Sequence, residues 1–232
     1  MPARNPKIKG VIFDLDGTLI DTLETYTRAF NQGIARFNLA PISKETLATF
    51  LNQALPLEKI LLELFPIPFE EKKVRLECLG EIQKAYTALE KENVPLKPGV
   101  AEVLPKLREL GLKIGIVTAR TTSGEIKWRE LRRLGINHFI NAMITGAEAE
   151  RKPATGSLME CIRQLGLSPA ECVSVGDSRA DIITGKAAGV ITIALPTGVA
   201  TREDLCRENP EAIIDSLTEL TRYISELSLE AN

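Results

Sequence analysis

The stretch VIFDLDGT, residues 11–18, decides the fold expected of this chain. Its first three residues are β-branched or aromatic and predict a buried strand, and the following Asp-Gly pair is typical of a turn. Side chains alternate along a strand, so Asp14 and Asp16 project to the same side if the extended geometry persists. Two carboxylates this close repel each other unless a divalent cation lies beside them. The stretch therefore predicts a strand whose end carries a metal and catalytic groups.

The composition is that of an ordinary globular protein. Its 232 residues can form one large domain, or a domain with a smaller insertion. Hydrophobic residues make up 44% of the chain, and 29 basic against 31 acidic side chains leave a net charge of −2. That balance gives no electrostatic reason to bind nucleic acid or a membrane surface, and no run approaches the roughly 20 apolar residues of a membrane span. We expect a small polar or anionic metabolite as the partner.

The N-terminus and the cysteines indicate a cytoplasmic protein. The first nine residues carry positive charge, but no apolar segment long enough for a signal peptide follows them. The cysteines are far apart and lack CxxC spacing, and three of them lie in apolar patterns. They are Cys78, Cys161, Cys172 and Cys206. We expect reduced, mostly buried thiols rather than disulfides.

Residues 96–232 alternate short apolar runs with amphipathic helical patterns, which is typical of βαβ units in a parallel sheet. Val103, Leu104 and Leu107, for example, follow helical spacing between two such runs. The predicted strands span residues 8–14, 113–118, 139–144, 172–176, 190–194 and 212–214. The sequence therefore predicts an α/β core with a Rossmann-like parallel sheet.

Residues 20–95 have a different character. They carry helical periodicity, as in Leu79, Ile82 and Tyr86, and no convincing strand pattern. The sequence VPLKPG at residues 94–99 closes this region, because two prolines and a glycine disfavour a continuing helix. We therefore expect an α/β core formed by residues 1–19 and 96–232, with an all-α domain inserted at residues 20–95.

Polar residues follow four of the predicted strands, and ligands of open α/β sheets bind beyond the carboxyl ends of the strands. These residues are Asp14, Asp16 and Thr18; Thr118 and Arg120; Lys152; and Asp177, Ser178 and Asp181. Each group alone has an ordinary explanation: the first is a common turn, Thr118 or Asp177 could cap a helix, and Lys152 could be a solvated surface lysine. Their order and spacing together argue against coincidence.

In this arrangement the chain resembles the haloacid dehalogenase-like hydrolases, specifically the phosphatases and phosphomutases with a helical cap inserted after the first strand. Residues 14–18 match the first motif of that family, Thr118 the hydroxyl motif, Lys152 the basic motif, and residues 176–181 the acidic motif. The resemblance covers nearly the full length. The Pro98-Gly99 turn also looks like the re-entry from cap to core in relatives of phosphoglycolate phosphatase.

The resemblance implies roles for the acidic residues. Asp14 would attack phosphorus and form an aspartyl-phosphate, and Asp16 would act as general acid and then general base. Dehalogenating relatives lack the second aspartate, because a halide leaves without a proton, so Asp16 argues against dehalogenation. Mg²⁺ would be held by the Asp14 carboxylate, the Asp16 backbone carbonyl and Asp177. Asp181 would orient a metal-bound water or Lys152.

The resemblance also implies a phosphate-binding set. The Thr118 hydroxyl and the Lys152 ammonium would hold the phosphoryl oxygens together with backbone amides that follow Asp14 and Thr118. The residues carrying those amides are Gly17, Thr18 and Ala119.

Substrate choice is a separate matter from fold and nucleophile. The resemblance places the specificity loop near residues 50–56, with Asn52, Gln53 and Lys59 as candidate contacts. Arg120 could reach a substrate carboxylate, or it could be a solvent-exposed arginine where a helix begins.

We expect a Mg²⁺-dependent phosphatase of small organic phosphomonoesters, with phosphoglycolate as the leading substrate, existing as a monomer or homodimer. The alternatives are a phosphosugar mutase of the β-phosphoglucomutase type and a non-catalytic protein that binds a phosphorylated ligand.

Overall fold

A computed structural model describes residues 7–52, 55–89, 94–120 and 122–230. Its contacts divide the chain into two compact units, Met1–Ile20 with Leu96–Asn232, and Asp21–Pro95. No helix within the described ranges is long and apolar enough to cross a membrane.

The regular secondary structure in the described part of the smaller unit is all helical, as the sequence predicts. Phe30, Ile34, Ile60, Leu61 and Ile82 are among the side chains that form its buried core. The helices are α1 (Thr22–Ala35), α2 (Lys44–Asn52), α3 (Leu57–Leu64), α4 (Pro66–Phe69) and α5 (Lys72–Leu89). The longest two, α1 and α5, pack against each other.

The larger unit contains a six-stranded sheet in which every paired strand is parallel. Its strands are β1 (Gly10–Phe13), β2 (Lys113–Thr118), β3 (Ala142–Thr145), β4 (Cys172–Gly176), β5 (Ile191–Ala194) and β6 (Ala212–Ile213). The order across the sheet is β3-β2-β1-β4-β5-β6. The predicted parallel α/β sheet is confirmed, and the first strand of the chain lies in its interior.

The third strand begins later than the predicted 139–144. Asn137–Phe139 form a turn of 3₁₀ helix instead, and the first amide to reach β2 is that of Asn141, which donates to the Ile114 carbonyl at 2.8 Å. An apolar run does not show by itself where strand pairing starts.

Helices follow the strands and cover the sheet. α8 contacts β2 and β3, and α9 contacts β4 and β5. The helices of this unit are α6 (Val100–Glu109), α7 (Gly124–Arg133), α8 (Gly156–Leu165), α9 (Arg179–Ala187), α10 (Arg202–Arg207) and α11 (Leu220–Glu230). All four residues of β1 are buried. A strand that is covered on both faces is buried along its whole length, which is why such strands have continuous apolar sequences.

The four cysteines are free thiols. Cys78, Cys161 and Cys172 are buried, whereas Cys206 is exposed. Burial raises the pKa of Cys161 and of Cys172 to about 12, so neither thiol ionises near neutral pH.

Candidate active site

The strand order brings the predicted site residues to one edge of the sheet. Because β1 pairs with β2 on one side and β4 on the other, the residues that follow these parallel strands meet at their carboxyl ends. Hydrogen bonds join Asp14 to Lys152, Lys152 to Asp181, and Thr18 to Asp177. Residues more than a hundred positions apart in the chain therefore form one cluster within the larger unit.

Lys152 lies at the centre of this cluster. Its Nζ donates to Asp14 Oδ1 at 2.6 Å and to Asp181 Oδ1 at 2.5 Å, and its side chain is only 8% exposed. Burial alone would lower the pKa of Lys152, but the two carboxylates outweigh it and raise that pKa above its usual value. The ammonium therefore stays charged and provides a fixed cation beside Asp14.

Asp181 is held in place by the start of α9. Its Oδ2 accepts hydrogen bonds from the Ser178 amide at 3.0 Å and the Ser178 hydroxyl at 2.6 Å, which forms a capping box. With one oxygen committed to the helix start, the other faces Lys152. Of the two functions considered for Asp181, orienting Lys152 is the one that these contacts favour.

Two loops, one after β1 and one after β5, close on the Asp177 carboxylate. The Thr18 hydroxyl donates to its Oδ1 at 2.7 Å. Gly17 has φ +88°, and a Cβ there would lie 2.5 Å from Asp177 Oδ2; a Cβ at Gly198 would lie only 1.6 Å away. Backbone packs so closely on this carboxylate that both positions require glycine.

The loop after β5 contributes to the site, and sequence reasoning missed it. The Thr197 hydroxyl donates to the Gly17 carbonyl at 2.8 Å, next to the contact between Gly198 and Asp177. A signal was present, since the sequence Pro196-Thr197-Gly198 follows a predicted strand just as the glycine turn at 176 does.

The cluster has an excess of negative charge. Burial raises the pKa of Asp14 well above its usual value; Lys152 opposes this, while Asp181, Asp177 and Asp16 add to it. Burial, reinforced by Asp181, raises the pKa of Asp177 to about 7, against the opposing effects of Thr18 and Lys152. Several carboxylates thus share one ammonium.

The same carboxylates fit a divalent metal ion. Asp14, Asp177 and Asp181 each offer an oxygen, and these oxygens lie within 4.8 Å of one another. An oxygen-only donor set with uncompensated negative charge suits a hard cation such as Mg²⁺. Asp181 already accepts from Lys152 and Ser178, which leaves Asp14 and Asp177 as the better candidates for direct ligands.

Asp16 has a separate cation, Arg120. The Arg120 Nε donates to Asp16 Oδ2 at 2.7 Å, and its Nη2 donates to Asp16 Oδ1. The Thr118 hydroxyl also donates to Asp16 Oδ2, at 3.3 Å. The Arg120 side chain is 8% exposed, so of the two alternatives considered for Arg120, the solvent-exposed one is wrong. The sequence could not show this pairing because the two residues are 104 positions apart.

The remaining predicted site residues lie partly in the α/β unit and partly in the helical unit. The Gly17 amide donates to the Ile20 carbonyl at 2.8 Å, so this amide, like the Thr18 hydroxyl, has a protein partner. Ala119 is exposed and lies directly after β2, between Thr118 and Arg120. In the helical unit, Asn52 is the last residue of α2, and Lys59 lies exposed in the first turn of α3. Gln53 lies outside the described residues.

Comparison with known proteins shows similarity along almost the whole chain. A family model described as "Haloacid dehalogenase-like hydrolase" matches residues 11–195. A Clostridium perfringens protein named "Putative pyrophosphatase PpaX" is 28% identical over 223 residues, which cover 95% of this chain and 99% of the relative. The phosphoglycolate phosphatase of Haemophilus influenzae (strain ATCC 51907) is 29% identical over 222 residues, covering 93% and 98%.

The fold is shared with solved structures. A Haemophilus somnus crystal structure, described as that of "a predicted phosphoglycolate phosphatase", superposes with a TM-score of 0.82 at 23% identity and covers 94% of this chain and 98% of that one.

Proposed function

The chain belongs to the haloacid dehalogenase-like hydrolases, and from that premise we propose that it is a Mg²⁺-dependent phosphatase acting on small phosphomonoesters through an aspartyl-phosphate. The observation that carries the proposal is the Asp14 carboxylate at the end of β1, 2.6 Å from the buried Lys152 ammonium and beside Asp177. A fixed cation at a carboxylate is what an attack on an anionic phosphoryl group requires.

In the first half of the reaction, an Asp14 oxygen attacks phosphorus and the bond from phosphorus to the leaving oxygen breaks. Asp16 donates a proton to that leaving oxygen, which departs as an alcohol. Lys152 and the Thr118 hydroxyl hold the non-bridging phosphoryl oxygens. Splitting one displacement into two steps lowers each barrier.

In the second half, a water attacks the aspartyl-phosphate. Asp16, now a carboxylate, takes a proton from that water, and the bond between phosphorus and Asp14 breaks. The products are inorganic phosphate and the original Asp14 carboxylate, and Asp16 regains its proton. Asp181 keeps Lys152 aligned through both steps.

The donor set supports a place for Mg²⁺. The Asp14 carboxylate, the Asp177 carboxylate and the Asp16 backbone carbonyl would hold the ion. When bound, it supplies positive charge that offsets repulsion between the nucleophile and the phosphate.

The substrate class follows from the relatives by analogy. One is named a phosphoglycolate phosphatase and another a pyrophosphatase, and each name denotes a small substrate with a charged leaving group. Phosphoglycolate is the leading candidate, and pyrophosphate belongs in the same panel. Asn52, Gln53 and Lys59 remain predicted contacts of the leaving group.

The test is release of inorganic phosphate from p-nitrophenyl phosphate and a panel of phosphorylated metabolites, with Mg²⁺ and with a chelator. We expect Mg²⁺-dependent release by the wild type and a loss of at least ~10³-fold in Asp14→Asn, which keeps the shape but is a poor nucleophile. Circular dichroism of the variant serves as the folding control. Activity near the wild-type level in Asp14→Asn would contradict the mechanism.

The same assay separates the alternatives. A phosphosugar mutase would interconvert isomers and release little phosphate. A non-catalytic protein that binds a phosphorylated ligand would show saturable binding without turnover.

A further inference from the structure

We propose that Arg120 is a positioning residue that acts through Asp16, fixing the orientation of that carboxylate before substrate arrives. The proposal rests on the proposed function, in which Asp16 exchanges a proton with the leaving oxygen. It adds to that function a residue that reaches the chemistry through another side chain.

The contact is a fork. Two guanidinium nitrogens of Arg120, Nε and Nη2, each donate to a different oxygen of the Asp16 carboxylate. A bidentate pair fixes both the position and the plane of a carboxylate, whereas a single contact would let it rotate about the axis from Cβ to Cγ.

The turn after β2 reinforces the fork. The Arg120 amide donates to Thr118 Oγ1 at 3.3 Å, and that hydroxyl donates to Asp16 Oδ2 at 3.3 Å. Arg120 therefore contacts Asp16 directly and also through Thr118. Before substrate binds, two residues at the end of β2, Thr118 and Arg120, thus hold the Asp16 carboxylate.

Burial strengthens the interaction between Arg120 and Asp16. The Arg120 side chain is 8% exposed and that of Asp16 is 24% exposed, so water screens the interaction less than it screens a surface pair. Without the guanidinium, Asp16 would lose both contacts of the fork. We expect it then to sample other rotamers.

Asp14 and Asp16 each contact a different cation of the site. Lys152 contacts Asp14 and Asp181, and Arg120 contacts Asp16. Asp16 therefore has its own cation, and Lys152 contacts Asp14 and Asp181 instead.

The experiment is a double-mutant cycle. Wild type, Arg120→Gln, Asp16→Asn and the double variant are assayed with p-nitrophenyl phosphate, whose leaving group needs little protonation, and with ethyl phosphate, whose leaving group needs a proton. We expect Arg120→Gln to lower kcat/KM about 10-fold or more for ethyl phosphate and less than about 3-fold for p-nitrophenyl phosphate. In the Asp16→Asn background the same change should alter either rate less than about 2-fold.

Two further variants serve as controls for the cycle. Arg120→Lys keeps the charge without the fork and should recover part of the ethyl phosphate activity. Arg129→Gln removes an exposed arginine of α7 that pairs with Glu125 and should leave both rates unchanged. If Arg120→Gln does not fold, Arg120→Lys takes its place in the cycle, with a loss of about 3-fold expected for ethyl phosphate alone.

Two results would overturn the proposal. Equal losses from Arg120→Gln with and without the Asp16 carboxylate would show that the arginine acts independently of Asp16. With phosphoglycolate assayed as a third substrate, a rise in KM limited to that substrate, with kcat unchanged, would show a direct substrate contact instead. Failure of the proposed function is distinct, because it would appear as turnover by Asp14→Asn or as no turnover by the wild type.

Discussion

At the scale of single residues, the environments of two nearby aspartates separate their chemistry. Asp14 is 12% exposed and faces the Lys152 ammonium, whereas Asp16 is 24% exposed and faces the Arg120 guanidinium. A more buried carboxylate beside a fixed ammonium suits a nucleophile, and a more accessible carboxylate suits proton exchange. The residue type is the same, and the surroundings differ.

Asp177 provides a prediction about pH. Its pKa is raised to about 7 in the folded protein, so the folded state binds its proton more tightly than the unfolded state, whose pKa is near 3.9. The contribution of this group to stability is complete below about pH 4 and is lost as the pH rises through about 7. Metal-free protein should therefore carry a destabilising charge at pH 8.

We expect metal-free Asp177→Asn to be more stable than the wild type at pH 8, on the order of 2 kcal/mol, and the difference to shrink at pH 5. Thermal unfolding followed by circular dichroism measures it. Mg²⁺ should raise the melting temperature of the wild type and not that of the variant. A variant less stable than the wild type at pH 8 would be evidence against buried charge at Asp177.

At the scale of elements, the start of α9 performs two tasks. The Ser178 hydroxyl accepts from the Asp181 amide and donates to the Asp181 carboxylate, which caps the helix and orients Asp181 toward Lys152. The residue after β1 also has two roles. The Asp14 amide donates to the Val175 carbonyl at 2.9 Å and so extends the pairing with β4, and the chain turns immediately afterwards. Asp14 thus directly follows a strand, and Asp181 lies in the first turn of a helix.

Removing this cap should therefore affect both stability and activity. Ser178→Ala should cost about 1 kcal/mol of unfolding free energy and should also lower kcat by several-fold, because Asp181 would hold Lys152 less firmly. Denaturant titration and phosphate release measure the two effects.

Ser168 offers a matched control. It forms a capping box with Glu171 at the start of a short 3₁₀ helix just before β4, at the opposite end of that strand from Asp177. Ser168→Ala should lose stability alone. Unchanged kcat in Ser178→Ala would refute the second task of this cap.

At the scale of the whole molecule, the helical unit is an insertion whose ends meet. Ile20 and Leu96 form an antiparallel bridge, and the Lys97 amide donates to the Leu19 carbonyl at 2.9 Å. The chain therefore leaves the α/β unit and returns to it at adjacent points, although 75 residues, 21–95, lie between. Such a junction lets one compact unit carry another without interrupting its sheet.

Replacing residues 22–94 by a short Gly-Ser linker should leave an α/β unit that folds. We expect cooperative thermal unfolding and a Mg²⁺-dependent rise in melting temperature, since the proposed ligands all belong to that unit. Circular dichroism and calorimetry measure these. Loss of cooperative unfolding would show that the sheet depends on the helical unit.

Local patterns in the sequence were enough for the six-stranded α/β class, the helical insertion and the four polar strand ends. Strand periodicity, helical spacing and glycine or proline turns are properties of neighbouring residues, so they can be read without knowing the fold. The sequence did not predict the late start of β3, because strand pairing, unlike hydrophobicity, depends on a second strand.

The partners within the site came from the tertiary arrangement alone. Strand order sets which strand ends are neighbours, and it pairs Asp16 with Arg120, Thr18 with Asp177, and Gly198 with Asp177. These contacts join residues far apart in the chain, and their geometry depends on the packing of the loops between them. A sequence pattern specifies which groups a strand end carries, whereas only the assembled sheet determines which charge each group faces.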